Sequence, residues 1–208
     1  MDHPDIEIVE KKTAYKGYLQ VDVYRLRHKK FDGTWSGVLP PREVCERGHA
    51  VGVLLYDPDQ DKLVMLEQFR VGAAAGGGPA WMREIVAGII EEGETPEAVA
   101  RRESVEEAHC TVSDLVKICD YFSSPGVLSE KVTVFCGRVD CTGAGGIGGL
   151  AEEHEDIRID VIDADEGIRL LDENLLNNSV TVIALGWFAR QRDALRRQWS
   201  TGAGEVGG

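Results

Sequence analysis

With 208 residues and 43% hydrophobic side chains, the chain has length and apolar content for one packed domain plus a small appendage. A net charge of −13 leaves no basic stripe for a phosphate backbone and excludes nucleic acid as a partner. Cys45, Cys110, Cys119, Cys136 and Cys141 show no CxxC or other close ligand spacing, and no apolar run approaches a membrane span of about 18 to 20 residues, so a soluble, cytoplasmic protein with reduced thiols is expected.

In the stretch 6–31, the alternation in LQVDVYRLRH marks a two-faced strand, with turns at Lys16-Gly17 and at Phe31-Asp32-Gly33-Thr34. A small antiparallel unit cannot bury both faces alone, so residues 1–48 are expected to lie against the rest of the chain or, the favoured reading, against another subunit. REVCERGHA at 42–50 leads into AVGVLLYD, an apolar, β-branched run that reads as a buried strand opening the main domain, 49–199. After the Asp57-Pro58-Asp59 turn, KLVMLEQFRV at 62–71 reads as a second core strand carrying Arg70 near its end. GAAAGGGP has neither the Lys-Ser/Thr ending nor the GxGxxG order of a phosphate cradle and reads as flexible linker, and WMREIVAG at 81–88 reads as one short strand.

The stretch 88–110, GIIEEGETPEAVARRESVEEAHC, carries the chemistry. Thr95 can cap a helix, Pro96 suits its first position and Glu97 its first turn, so a helix is predicted from 96 to about 108. At about 100° per residue, Glu103, Glu106 and Glu107 share one arc while Ala98, Val105 and Ala108 gather opposite, so the apolar side is expected to pack and the acids to line the other. Glu103 and Glu107 repel across one helical turn, by a few tenths of a kcal/mol, unless a cation compensates. A solvated face is the ordinary fate of such a ridge. Hard divalent cations such as Mg²⁺ are the alternative, since they take carboxylate oxygens together with substrate phosphates.

Beyond the helix, LVKICDYFSSPGVLSEKVTVFCGRVD at 115–140 reads as strand, loop, strand with the Ser124-Pro125-Gly126 turn, which makes the sheet mixed. TGAGGIGG at 142–149 reads as mobile loop delivering Glu152, Glu153, Glu155 and Asp156, and a carboxylate on such a loop can serve as the base in phosphate hydrolysis. Asp163 to Leu176 reads as a short amphipathic helix, and Asn178-Ser179 caps a longer one with Val182, Leu185, Trp187, Leu195 and Trp199 as candidates for burial. The last residues, 200–208, read as a disordered tail.

Gly88, Glu94, Arg102, Glu103, Glu106 and Glu107 match the fixed positions of G-x5-E-x7-R-E-U-x-E-E-x-G-U, U being apolar, and so resemble the Nudix box; Ser104, His109 and Cys110 depart from it. From YKGYLQVDVYRLRH through REVCERGHA, LEQFR, VAGIIEEGE, SSPGVLSE and LAEEHEDIR to SVTVIAL, the chain resembles the bacterial ADP-ribose pyrophosphatase branch of that family. The resemblance implies an α/β fold, an α/β/α sandwich around a mixed sheet preceded by an N-terminal antiparallel β unit that is swapped in a homodimer. It also implies hydrolysis of ADP-ribose to AMP and ribose 5-phosphate that depends on Mg²⁺, with Mn²⁺ as the alternative cation. Carried over by motif, Glu103, Glu107 and the carbonyl of Ala87 are metal ligands, Glu106 supports the cluster, Glu155 contacts metal and Glu153 is the catalytic base. Arg70 holds phosphate, Arg42 and Glu43 meet the adenosine, and Glu130 approaches the terminal ribose. Val127 stands where the family more often has a second Gly, which bears on the terminal-sugar pocket; the alternatives are another nucleoside diphosphate sugar such as GDP-mannose and, from another class, a non-catalytic ADP-ribose sensor.

Overall fold

The computed structural model describes residues 3–150, 152 and 154–200, so the expected tail beyond Ser200 lies outside the described residues. The chain divides into two units, one comprising the chain up to His49 with Phe122–Lys131, the other Ala50–Tyr121 with the chain from Val132 onward.

In the first unit, β1 (Ile6–Lys16), β2 (Gln20–His28) and β3 (Arg42–Glu46) form an antiparallel sheet in that order. The β1–β2 hairpin closes at Lys16↔Gln20, and β1 is kinked by register shifts between Ile8 and Glu10 and between Thr13 and Tyr15. Apart from half-buried Ile6 and Ile8, β1 is exposed. Asp22 of β2 is buried and fully partnered, by Lys11 at 2.8 Å, Thr13 at 2.7 Å and Gln20 at 3.0 and 3.1 Å. Tyr15, Tyr18 and Phe31 stand exposed on this unit.

In the second unit, β4 (Ala50–Asp57) lies between β5 (Lys62–Phe69), antiparallel, and β9 (Lys131–Arg138), parallel. The path of the sheet is β10-β11-β5-β4-β9-β8, with β8 at Asp114–Phe122, β10 at Gly146–Gly148 and β11 at Ile157–Asp163. Strand alternation feeds two cores: Leu54 and Tyr56 pack under α3 (Ala164–Asp172) and α4 (Ser179–Ser200), whereas Val51, Val53 and Leu55 pack under α2 (Pro96–Ala108). The result is the expected α/β/α sandwich around a mixed sheet. No described helix is long and apolar enough to cross a membrane, and all five cysteines are free.

Five expectations need correction. The segment after Arg70 is not simply linker, because Val71–Ala75 forms a short helix, α1. The glycine-rich stretch before the acidic loop contains strand β10, paired antiparallel with β11 at Gly146↔Ile159. The third helix ends at Asp172, with Asn174 at φ 56° turning the chain before Leu176, and Val182 on α4 is exposed while Leu185, Leu195 and Trp199 are buried. Finally, 81–88 is two strands. β4 and β5 pair only over Leu55–Asp57 and then splay; β6 (Trp81–Glu84) pairs with β5 and β7 (Val86–Ile89) pairs with β4, filling the fork, with the change of partner at Ile85.

Candidate active site

α2 forms where the sequence signals it, with Thr95 Oγ1 accepting the Ala98 N–H at 3.2 Å and Pro96 at its start. Its orientation departs from the expectation, of which the packing of Ala108 holds and that of Ala98 and Val105 does not. Ala98 is exposed and Val105 is 49% exposed, while Val99, Ala100, Ser104, Glu107 and Ala108 are buried and Glu103 nearly so. The carboxylates of Glu103 and Glu107 therefore point into the body, over β7. Ser104, in a place the motif gives to an apolar residue, satisfies its hydroxyl by donating to the Ala100 carbonyl at 2.6 Å. His109 caps the helix end in the left-handed region at φ 55°.

Two backbone features admit these acids. A Cβ on Gly88 would lie 2.0 Å from Glu103 Oε1, so only glycine leaves that carboxylate its place. One residue earlier, the Ala87 N–H donates to Glu107 Oε2 at 3.0 Å. Glu107 is 3% exposed, and burial pushes its carboxyl up to about 8, with Glu103 and Glu155 pushing the same way and the Ala87 N–H and Arg70 opposing. Burial likewise raises Glu103 to about 7 against the pull of Arg102.

Arg102 ties the motif together. It donates to both Glu94 oxygens at 3.1 and 3.2 Å, to Glu103 at 2.8 Å and to Glu106 at 2.9 Å, which holds Glu94 below its ordinary range. That leaves Glu107, among the described residues, with one backbone donor and the pull of Arg70 as its compensation.

At the end of β5, Arg70 donates through Nε at 2.9 Å and Nη2 at 2.7 Å to Glu84, which is 1% exposed. It lines a cavity of about 370 Å³ with Gln68, Phe69, Trp81, His154, Glu155 and Asp156. Phe69 and Trp81 stand edge to face at 5.8 Å. Glu155 Oε2 accepts the Leu150 N–H at 3.0 Å, and its own N–H donates to the Leu150 carbonyl at 3.2 Å. Gly149, at φ 91°, donates its N–H to the Glu106 carbonyl at 3.1 Å and so starts the acidic loop on the end of α2. Glu153 lies outside the described residues.

The second unit thus holds Arg70, Ala87, Glu103, Glu106, Glu107 and Glu155, whereas Arg42, Glu43 and Glu130 belong to the first. There Arg42 and Glu43 are exposed at the start of β3, and Glu130 is buried with Arg47 Nε 3.3 Å away. Among the described residues no three acidic, His or Cys side chains are yet gathered closely enough to hold one ion. The donors nevertheless suit a hard divalent cation: two recessed carboxylates on one helix, Glu103 shared with Arg102 and Glu107 met by one backbone N–H, both raised by burial. Glu84, Gln68 and the aromatic pair Phe69 and Trp81 did not stand out in the sequence, where the one signal was a lone Glu inside a short strand.

A NUDIX domain model matches residues 46–176. The chain is 41% identical over 196 residues to an ADP-ribose pyrophosphatase of Escherichia coli (strain K12), covering 94% of this chain and 93% of that one. It is 38% identical over 198 residues to an ADP-ribose pyrophosphatase of Haemophilus influenzae, covering 94% and 91%. A GDP-mannose pyrophosphatase of Pectobacterium atrosepticum is 29% identical over 192 residues, covering 89% and 97%. In fold, the chain matches a crystal structure titled as an ADP compounds hydrolase with TM-score 0.68 at 19% identity, covering 99% and 100%. The box residues on α2, the sandwich that presents them and these likenesses agree: the chain belongs to the NUDIX family.

Proposed function

We propose that this Nudix hydrolase cleaves the diphosphate of ADP-ribose, giving AMP and ribose 5-phosphate, with Mg²⁺ as cofactor and Mn²⁺ as a substitute. The observation that carries the reading is the pair Glu103 and Glu107, recessed on the packed side of α2 with carboxyls pushed up to about 7 and about 8. Support for the substrate comes from relatives named ADP-ribose pyrophosphatase at 41% and 38% identity, against 29% for one named GDP-mannose pyrophosphatase.

Glu103, Glu107 and the Ala87 carbonyl would hold the cation, with Glu106 in support and Glu155 joining from its loop. Bound there, a divalent cation neutralises charge on the diphosphate and on the departing phosphate. Arg70 orients the diphosphate through guanidinium hydrogen bonds, which also offsets the repulsion of a strongly acidic protein toward an anion. Glu153 takes a proton from the water that attacks phosphorus; one P–O bond forms, the bridging P–O bond breaks, and the bridging oxygen leaves with the other phosphate. Arg42 and Glu43 recognise adenosine and Glu130 the terminal ribose. The exposed Tyr15, Tyr18 and Phe31 support an N-terminal unit covered by a second copy in a swapped homodimer, working in the cytoplasm.

Release of AMP from ADP-ribose, with and without chelator and beside GDP-mannose, tests the reading. Mg²⁺-dependent turnover favouring ADP-ribose is expected. Faster turnover of GDP-mannose would reassign the substrate, and tight ADP-ribose binding without product would make the protein a sensor.

A further inference from the structure

The guanidinium of Arg70 is not free to choose its pose. Its Nε and Nη2 both serve one oxygen of Glu84, at 2.9 and 2.7 Å, and Nη1 has no partner among the described residues. Glu84 is buried, and its other oxygen accepts from Asn178 Nδ2 at 2.8 Å. Asn178 immediately precedes α4, and its Oδ1 accepts the Thr181 N–H at 3.3 Å, the N-cap bond of that helix. Because the oxygen is committed to the cap, the amide has one orientation, and the nitrogen must face Glu84. The same first turn reaches the neighbouring residue. Buried Thr181 accepts the Ile85 N–H at 3.2 Å, a donor left without a sheet partner where β6 gives way to β7.

We infer that Asn178 is a positioning residue for the substrate's diphosphate: through Glu84 it fixes the Arg70 guanidinium with the Nη1 edge presented to the cavity beside Glu155. This rests on the reading of Arg70 as the diphosphate-binding residue. The chemistry supports a device of this kind and not an incidental contact. A buried carboxylate needs every lone pair answered, and α4 supplies both an amide donor and the positive end of its dipole to the side of Glu84 away from Arg70. With Glu84 held in that way, the guanidinium docks on it sideways and keeps its far edge for a phosphate, where two N–H groups can meet two oxygens. Without the amide, Glu84 turns to recover a donor, and Arg70 turns with it.

Asn178→Ser keeps a good capping oxygen and removes the donor to Glu84; Asn178→Asp keeps the cap and sets a second carboxylate against it. Both are to be measured with ADP-ribose and Mg²⁺ in the full chain, alone and combined with Arg70→Ala, recording KM, kcat and melting temperature. Loss of a hydrogen bond to a charged group predicts a KM raised about tenfold with kcat little changed in either single variant. In the Arg70→Ala background the Asn178 changes should add nothing to KM, although they lower the melting temperature in both backgrounds. Where turnover is too slow, the affinity for ADP-ribose without added cation, by calorimetry, closes the same cycle. If Arg70→Ala raises KM but the Asn178 variants do not, or if they raise it equally in both backgrounds, the inference is wrong while Arg70 keeps its role. If Arg70→Ala itself leaves KM and affinity unchanged, the reading of Arg70 fails first and the inference falls with it.

Discussion

The Ala87 N–H donates to the Glu107 carboxylate at 3.0 Å, joining the strand β7 to the C-terminal end of α2's buried face. One backbone amide is thus the nearest compensation for a carboxylate that is 3% exposed, and the behaviour of the empty and loaded protein should differ accordingly.

Replacing Glu107 by Gln keeps the shape and an oxygen for the Ala87 N–H while removing a buried negative charge. AMP release should fall by at least about 100-fold, since a ligand of the cation is lost. At pH 8 without divalent cations the variant should melt higher than the parent, because no charge is desolvated. Near-parental turnover in this variant removes Glu107 from the cation site.

In the cation-free protein Glu103 and Glu107 titrate near 7 and 8, above their ordinary 4.5. Between those limits the folded state binds more protons than the unfolded chain, so stability falls as pH rises from about 4.5 to about 8. A cation competes with those protons, so Mg²⁺ should raise the melting temperature more at pH 8 than at pH 6. Melting curves with chelator and with Mg²⁺ across that range check both signs; an equal Mg²⁺ effect at the two pH values argues that the cation sits elsewhere.

A methyl group at position 88 would occupy the space of the Glu103 carboxylate, 2.0 Å away. Gly88→Ala should therefore push Glu103 off β7, costing about 1 to 3 kcal/mol of stability and most of the turnover. Calorimetry and an AMP assay measure the two losses on one preparation.

His109 ends α2 at φ 55°, a conformation glycine adopts without strain. His109→Gly should raise stability by up to about 1 kcal/mol and leave turnover alone, as no described site carboxylate bonds the ring. A lower melting temperature would show that the imidazole contributes something the cap geometry does not.

The bounds of α2 and the strands β4 and β5 were legible because capping residues and apolar runs act locally. The side on which α2 packs was not. Reading polarity as exposure put Val105 inside and Glu107 outside, whereas a functional helix buries the acids it uses and leaves Val105 in solvent. Glycine-rich sequence concealed β10, whose Gly148 is required because a Cβ there would lie 2.2 Å from the Glu107 carbonyl oxygen. The box positions were legible from spacing, but Glu84 and Asn178 carry no spacing signal and become visible only when Arg70 and α4 meet on them.

The fork between β4 and β5 has a consequence for transplantation. Residues 88–108 alone would take their acids to a new scaffold but would leave behind the Ala87 amide, which the splayed strands hold in place. A designer wishing to move this chemistry must graft the opening in the sheet along with the helix, or the acids will arrive with nothing to receive them.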